Sequence, residues 1–506
     1  MERHIQSPSL ESSWPGERVL PSVLDVQVAN ESPEPAFLSA FKRSILASSD
    51  AAGNQTLMHL NLQAYQPGKY TWPLAILSDF PEKLPSHDEL AYLREVFAKC
   101  CSGHPFLERL PIAPPSHTAM APPLQFAIGC VASVHARCEP NEAENLFRAS
   151  RGLWGATMEC DNREARSVEL LVTAILGGIY GTLSSDQVLR DKADILLCSG
   201  MTIARRMRFH DPKQLEGLLT TPAPTSSAAF VWCLWLIDIV YTLHFGVPVM
   251  AFTSRELWTT MPCSTLEFQY VYRDLLDTTV DGLLPLRPTS QDDALVLLMA
   301  VVSDLLYLRR SIGQVVRLAA STNKPAPREN PHVPLSAHAE LERMECVLSH
   351  ALDRWHLQFH TSAAPEIMAF YHYCRMYGSC DRVLDLPALA GHGEMNTLPA
   401  SKVDFSVSGE TVRQAWLVLD SASMRSQQHS KDPLCPIWLP IVVFHAGLVV
   451  WVEHGSGRGQ NNTAYRGAKI LLPFKIELER MPWPCCREMV ATLSRLAAKP
   501  TVAIDV

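Results

Sequence analysis

Ser290–Ser321 reads SQDDALVLLMAVVSDLLYLRRSIGQVVRLAAS, and its periodicity decides the fold class. Ala294, Leu298, Val301, Leu305, Leu308, Ile312 and Val315 follow one another at alternating spacings of four and three, a continuous apolar seam on one side of a helix. Leu295, Val302, Leu306 and Val316 widen that seam, so the helix is expected to be buried more deeply than a coiled-coil strand. Ser290, with Asp293 three positions on, approximates a capping box at its start.

Outward from this stretch the same period recurs. It predicts helices over Glu89–Cys101, Pro123–Ala136, Glu142–Met158, Ser167–Gly181, Val188–Met207, Ser226–His244, Ala337–Phe359, Val412–Ser426, Leu434–Glu453 and Cys486–Ala498. Alternating β patterns are short and rare, and no repeat has a fixed period. The expectation is an all-α fold, one large multi-helical domain over residues 87–506. Residues 1–86 are Pro- and Ser-rich and read as a loosely ordered lead-in with at most a short helix at Phe37–Leu46. Residues 321–336 (STNKPAPRENPHVPLS) hold four prolines and are not a helix interior; they read as an exposed connection inside the domain or as the joint between two helical layers.

Composition narrows the function classes. Of 506 residues, 47% are apolar and 19% charged, enough to build an extensive core. Net charge is -8, which disfavours non-specific binding of nucleic acid through phosphate neutralisation. The 14 cysteines are scattered, without any Cys-x-x-Cys, and Met1–Ser13 lacks the basic start and apolar run of a secretory leader. Free thiols in a reducing compartment are expected. Two apolar runs, Ala228–Phe245 and Ile437–Val452, carry Asp238 with His244 and Pro440 with His445. A spanning helix needs about 20 predominantly apolar residues with basic flanks, so both read as core helices.

Catalytic signatures are absent. The chain has no Gly-x-Ser-x-Gly elbow, no His-Glu-x-x-His pair and no phosphate loop, and Gly455–Gly459 reads as a flexible turn. Asp353, His356 and His360 share one helical face and are the best metal candidates; a polar stripe beside Trp355 and Phe359 is the simpler reading. Asp292-Asp293 resembles the start of an aspartate-rich magnesium site of helical terpene cyclases. The next carboxylate is missing, because residues 296 and 297 are Val and Leu, so helix capping explains the pair. Arg205-Arg206-Met207-Arg208 is the one compact basic cluster, placed to complement a helix C-terminus or to meet phosphate or an acidic partner. No zinc-finger spacing, basic zipper or helix-turn-helix is present to read bases. No catalytic, cofactor-binding or metal residue is therefore assigned, and no cofactor is expected.

Several segments in order resemble the regulatory domain, or middle homology region, of fungal-specific transcription factors. Tyr92–Leu110 contains His104-Pro105-Phe106-Leu107, similar to that family's HP-x-FLH stretch; Pro122–His135 and Ala143–Ala149 resemble a small-residue helix followed by A-x-x-LF-x-x-A. Trp232, Trp235 and Asp238, then Gly246-Val247-Pro248 and Met261-Pro262, resemble the helix, G-x-P turn and LP ending that carry most weight. The family's basic residues before the first Trp are replaced by Ser226-Ser227-Ala228-Ala229. Ala351–Trp355, Tyr371–Cys380, Leu386–Gly391, Phe444–Val452 and Met481-Pro482-Trp483 are similar to late helices of the subset that follows Cys-Cys-His-His zinc fingers. The resemblance spans residues 88–498 and implies a non-enzymatic transcriptional regulator in the nucleus, controlling a biosynthetic gene cluster of secondary metabolism. It also implies coupling to the transcription machinery or a DNA-binding partner, with a small-molecule effector and a homodimer as further expectations. In that family the zinc module precedes this domain, whereas the first cysteine here, Cys100, already lies inside it. DNA would then be reached only indirectly, or through a zinc finger outside this sequence. The alternative is an all-helical enzyme or small-molecule-binding protein of a biosynthetic pathway, its apolar pocket lined by Val231–Phe245 and Trp438–Trp451. No membrane contact is expected.

Overall fold

The structure, a computed structural model, describes residues 80–498 except 82–83, 102–103, 105, 111, 113–119, 137, 161–166, 212–223, 247–251, 280–281, 283–289, 311–336, 394–406, 429–433 and 456–462. The N-terminal lead-in up to residue 79 and the Pro-rich connection lie outside the described residues. So do the second half of the opening stretch, from residue 311, and most of the Gly-rich turn.

Helices account for the whole architecture. They are α1 (His87–Cys101), α2 (Pro122–His135), α3 (Pro140–Cys160), α4 (Val168–Thr182), α5 (Gln187–Arg206), α6 (Pro224–Phe245), α7 (Phe268–Leu276) and α8 (Gln291–Leu308). After these come α9 (Ala337–Phe359), α10 (Pro365–Ser379), α11 (Leu386–Leu389), α12 (Gly409–Gln428), α13 (Leu439–Gly455), α14 (Thr463–Arg480) and α15 (Cys485–Ala498). Among the described residues the only β-type pairing is one isolated antiparallel bridge, Thr260 to Glu267. The fold is all-α, as the periodicity requires.

Short polar side chains set the helix starts. Ser86 and Glu89 close a full capping box, with Glu89 N–H donating to Ser86 Oγ at 3.3 Å and Ser86 N–H to Glu89 Oε2 at 2.7 Å. Ser167 and Asp186 cap α4 and α5 in the simpler way. At α8 only half of the expected box forms. Ser290 Oγ accepts from Asp293 N–H at 3.0 Å, but Asp293 Oδ1 accepts from Cys263 N–H at 3.0 Å, so this buried carboxylate ties a distant loop to the helix start.

The packing follows from apolarity. α4, α6, α8 and α13 are apolar on nearly every side, and a helix of that kind has no face suited to water. They form the interior, where α6 touches α4, α5, α8 and α13. The remaining long helices surround them: α1, α2, α3 and α5 on one side, and α9, α10, α12, α14 and α15 on the other. Ala228–Phe245 in α6 is long and apolar enough to cross a membrane by composition, yet 89% of it is buried inside the protein, which fits a core helix. Indole N–H groups stitch the layers. Trp355 donates to Ala294 O at 2.9 Å, Trp438 to Glu366 O at 3.1 Å and Trp483 to Cys435 O at 2.9 Å. No disulfide joins the described cysteines, and seven of them are buried.

Periodicity missed four helices, α7, α10, α11 and α14; for α10 and α11 the resemblance alone pointed to helix, at Tyr371–Cys380 and Leu386–Gly391. α14 carries Pro473 in its interior, a residue that removes one helical hydrogen bond and argues against a helix on sequence alone. Phe474 beside it is fully buried, and packing holds the helix together across the defect.

Candidate functional site

Ser303-Asp304 is the one polar interruption in the apolar run of α8. Asp304 accepts from Ser254 Oγ at 2.7 Å on one oxygen and from the Tyr272 hydroxyl at 2.8 Å on the other. Burial raises the carboxyl pKa of Asp304 and pushes that of Tyr272 well above the phenolic range. This carboxylate fixes the Phe252–Glu256 loop and α7 against α8. Gln269 adds Nε2–H bonds to Ser254 O (2.6 Å) and Leu257 O (2.9 Å).

Above Asp304 lies a cavity of about 490 Å³. Its walls come from α6 (Asp238, Ile239, Thr242), the loop at Phe252–Arg255, α8 (Ser303, Asp304 and Leu306 to Leu308) with Arg310 just beyond it, and α9 (Glu340, Met344). The lining is mostly apolar with a few polar groups, the make-up of a small-molecule site. Tyr307 (55% exposed) and the exposed Arg255 belong to its outer edge.

The arginines here divide into engaged and open ones. The helical ladder widens to π-type geometry at Arg309–Arg310, a change that recurs at functional sites. Arg309 is fully used. It pairs with Glu345 at 2.9 Å, donates to the carbonyls of Tyr377 and Gly378, and lies 4.8 Å over the Tyr377 ring. Arg310, half-buried, faces the cavity instead; desolvation lowers its pKa, while Tyr377 and Asp238 work the other way. Glu340 on the opposite wall is held by Arg343 at 2.8 Å.

The residues singled out in the sequence fall as follows. Arg205 of the basic cluster pairs with Glu256 at 3.0 Å and lies 5.0 Å over the Phe252 ring, so it buttresses the cavity loop; Arg206 and Arg208 are exposed. Asp292 pairs with Arg109 at 2.9 Å, a link across the fold beyond capping. Asp353 pairs with Arg375 at 2.7 Å, and His360 Nδ1–H is spent on the His356 carbonyl at 2.9 Å. Among the described residues no three His, Cys, Asp or Glu side chains are grouped to hold a metal ion. Val231–Phe245 does reach the cavity, through Asp238, Ile239 and Thr242, but Trp438–Trp451 does not. That segment, Trp438 and the first thirteen residues of α13, packs into the core apart from a partly buried Trp451, so this cavity is not the pocket expected between both segments.

A second polar cluster lies where α4, α6, α11, α13 and α15 approach one another. His244 Nδ1–H donates to Thr182 O at 3.0 Å, His392 Nδ1 bonds Thr492 Oγ1 at 3.0 Å, and His445 Nδ1 bonds the Tyr373 hydroxyl at 2.9 Å. Burial holds His244 and His445 down to about 3 and His392 to about 4. These are neutral, hydrogen-bonded core histidines. Another cavity, of about 580 Å³, opens between the start of α3 and the Met481–Pro484 turn, with Glu139, Glu144, Asp186 and Glu479 in its more polar walls. Compared with family models, with curated proteins and with solved structures, the chain finds no match.

Proposed function

We propose that this chain is a nuclear transcriptional regulator, not an enzyme, whose helical domain binds a small-molecule effector in the cavity between α6, α8 and α9. The observation that carries the reading is where its most telling segment falls. The Trp232–Trp235–Asp238 run, which resembles fungal regulatory domains, buries both indoles in the core and ends with Asp238 in the cavity wall. The segment behind the resemblance and the site of ligand-like dimensions are one element. The regulator acts on a biosynthetic gene cluster through the transcription machinery or a DNA-binding partner.

Direct base reading is left to that partner. Specific binding needs phosphate clamps plus side chains aimed at base edges, the net charge is -8, and Arg205 is committed to Glu256. Deleting the gene is expected to change transcripts of a defined gene set, its neighbours first, while the purified chain fails to shift their promoters at physiological salt. Competitor-resistant promoter binding would overturn the second half. An unchanged transcriptome, together with a lost metabolite restored by mixing purified protein with a precursor, would make the enzyme reading correct.

A further inference from the structure

We infer that the cavity between α6, α8 and α9 takes an apolar ligand bearing a carboxylate, and that Arg310 seats that group. The inference rests on the effector-binding reading and adds the chemical class of the ligand. Three acids and two cations line the space, and their partners decide the sign of the ligand. Glu340 is engaged by Arg343. Asp304 has both oxygens occupied, by Ser254 and Tyr272. Asp238, 6% exposed, lies near enough to Arg310 to act on its charge.

On the cationic side, neither Arg310 nor Arg255 closes an ion pair or a side-chain hydrogen bond among the described residues. A guanidinium carries five N–H donors and stays charged in a protein. Half-buried in the wall of an apolar space, Arg310 presents those donors to whatever enters the cavity. The contrast with Arg309, one position away and fully bonded, shows that these surroundings can satisfy an arginine where acceptors are supplied. What is missing at Arg310 is a planar acceptor, and a carboxylate matches its fork with two parallel bonds. The rest of the ligand is apolar, because Ile239, Phe252, Leu306, Leu308 and Met344 form most of the remaining surface.

The test uses the full chain and three probes below their micelle concentrations: dodecanoate, dodecanol and dodecyltrimethylammonium, titrated calorimetrically. Dodecanoate is expected to bind about tenfold tighter than dodecanol, the worth of one charge-assisted bond, and the cationic probe not at all. Arg310→Met should erase the preference for dodecanoate and leave dodecanol binding unchanged. Arg310 closes no ion pair or side-chain hydrogen bond among the described residues, so the variant should melt like the parent. Met344→Trp, filling the space, should weaken both ligands. Equal affinity for acid and alcohol, lost in Met344→Trp, would overturn the carboxylate inference and leave the effector reading standing. A preference for dodecanoate that survives Arg310→Met would overturn the assignment of Arg310. Absence of binding by every probe, or binding undiminished by Met344→Trp, would overturn the inference and the cavity reading together.

Discussion

Asp304 joins two of the elements beside the cavity through Ser254 and Tyr272. Replacing it with Ala leaves the Ser254 and Tyr272 hydroxyls facing each other's vacated acceptor, in a wall with little water to take its place. A buried donor without a partner costs about 1–3 kcal/mol, so Asp304→Ala should lower the unfolding free energy by about 2–4 kcal/mol in urea titrations. Asp304→Asn, which keeps one acceptor oxygen, should lose roughly half as much. Equal stability of all three forms would mean that the hydroxyls are satisfied elsewhere. Asp304 was legible in principle: a carboxylate in the middle of an otherwise apolar helix asks for a partner or a role. Its partners were not. Ser254 and Tyr272 lie 50 and 32 positions away, and no periodicity links them to it. Arg310 was equally hidden, because only the structure separates it from its engaged neighbour Arg309.

Helix contacts tell a similar story one level up. α4 and α5 approach so closely that a Cβ on Gly181 would sit 2.1 Å from Ala193 Cβ and 3.4 Å from Ala193 Cα. No rotamer relieves contact with a backbone-proximal methyl, so Gly181→Val must push the two helices apart. Overpacking of this kind costs about 1–3 kcal/mol and can exceed that, and a fall of several degrees in melting temperature is expected. A variant as stable as the parent would show that the helices slide freely. At the far end of α6, Gly246 holds φ +68° while its N–H donates to Thr242 O at 2.9 Å, a left-handed stop that a side chain would strain. Helix existence was largely readable: the predicted elements within the described residues recur near their expected bounds, and the opening stretch is described as helix only up to Arg310. α14 escaped because Pro473 argues locally against a helix that tertiary packing nonetheless sustains. α10 escaped because its aromatic residues are buried around most of its circumference, leaving no polar stripe to mark a period.

The molecule as a whole buries histidines it must keep neutral. His135, His244 and His445 are held down to about 3 and His392 to about 4, chiefly by burial, with Arg190 and Arg495 also opposing and Glu488 favouring protonation of His392. In the unfolded chain each takes its proton near pH 6.5. Between those limits the unfolded state binds more protons, so this stabilisation is complete above about pH 6.5 and drains away as the pH falls toward 3–4. Melting temperature should therefore drop by more than about 5 °C between about pH 7.5 and 5.5, before most carboxylates titrate. A flat profile across that interval would contradict the buried, neutral assignment. Circular dichroism of the purified chain should show dominant helix, and a strand content above about one-fifth would contradict the architecture. The central place of α6 carries one more consequence, for synthesis. Its neighbours include α13, about two hundred residues later in the chain, and the frame closes only when Leu434 N–H reaches Cys100 O at 2.7 Å and Cys485 N–H reaches Leu183 O at 2.8 Å. At about 5–20 residues per second the ribosome presents this greasy helix for ten seconds or more before its cover is made. Throughout that interval a stretch with the length and apolarity of a membrane segment, Ala228–Phe245, is without the helix that later covers it.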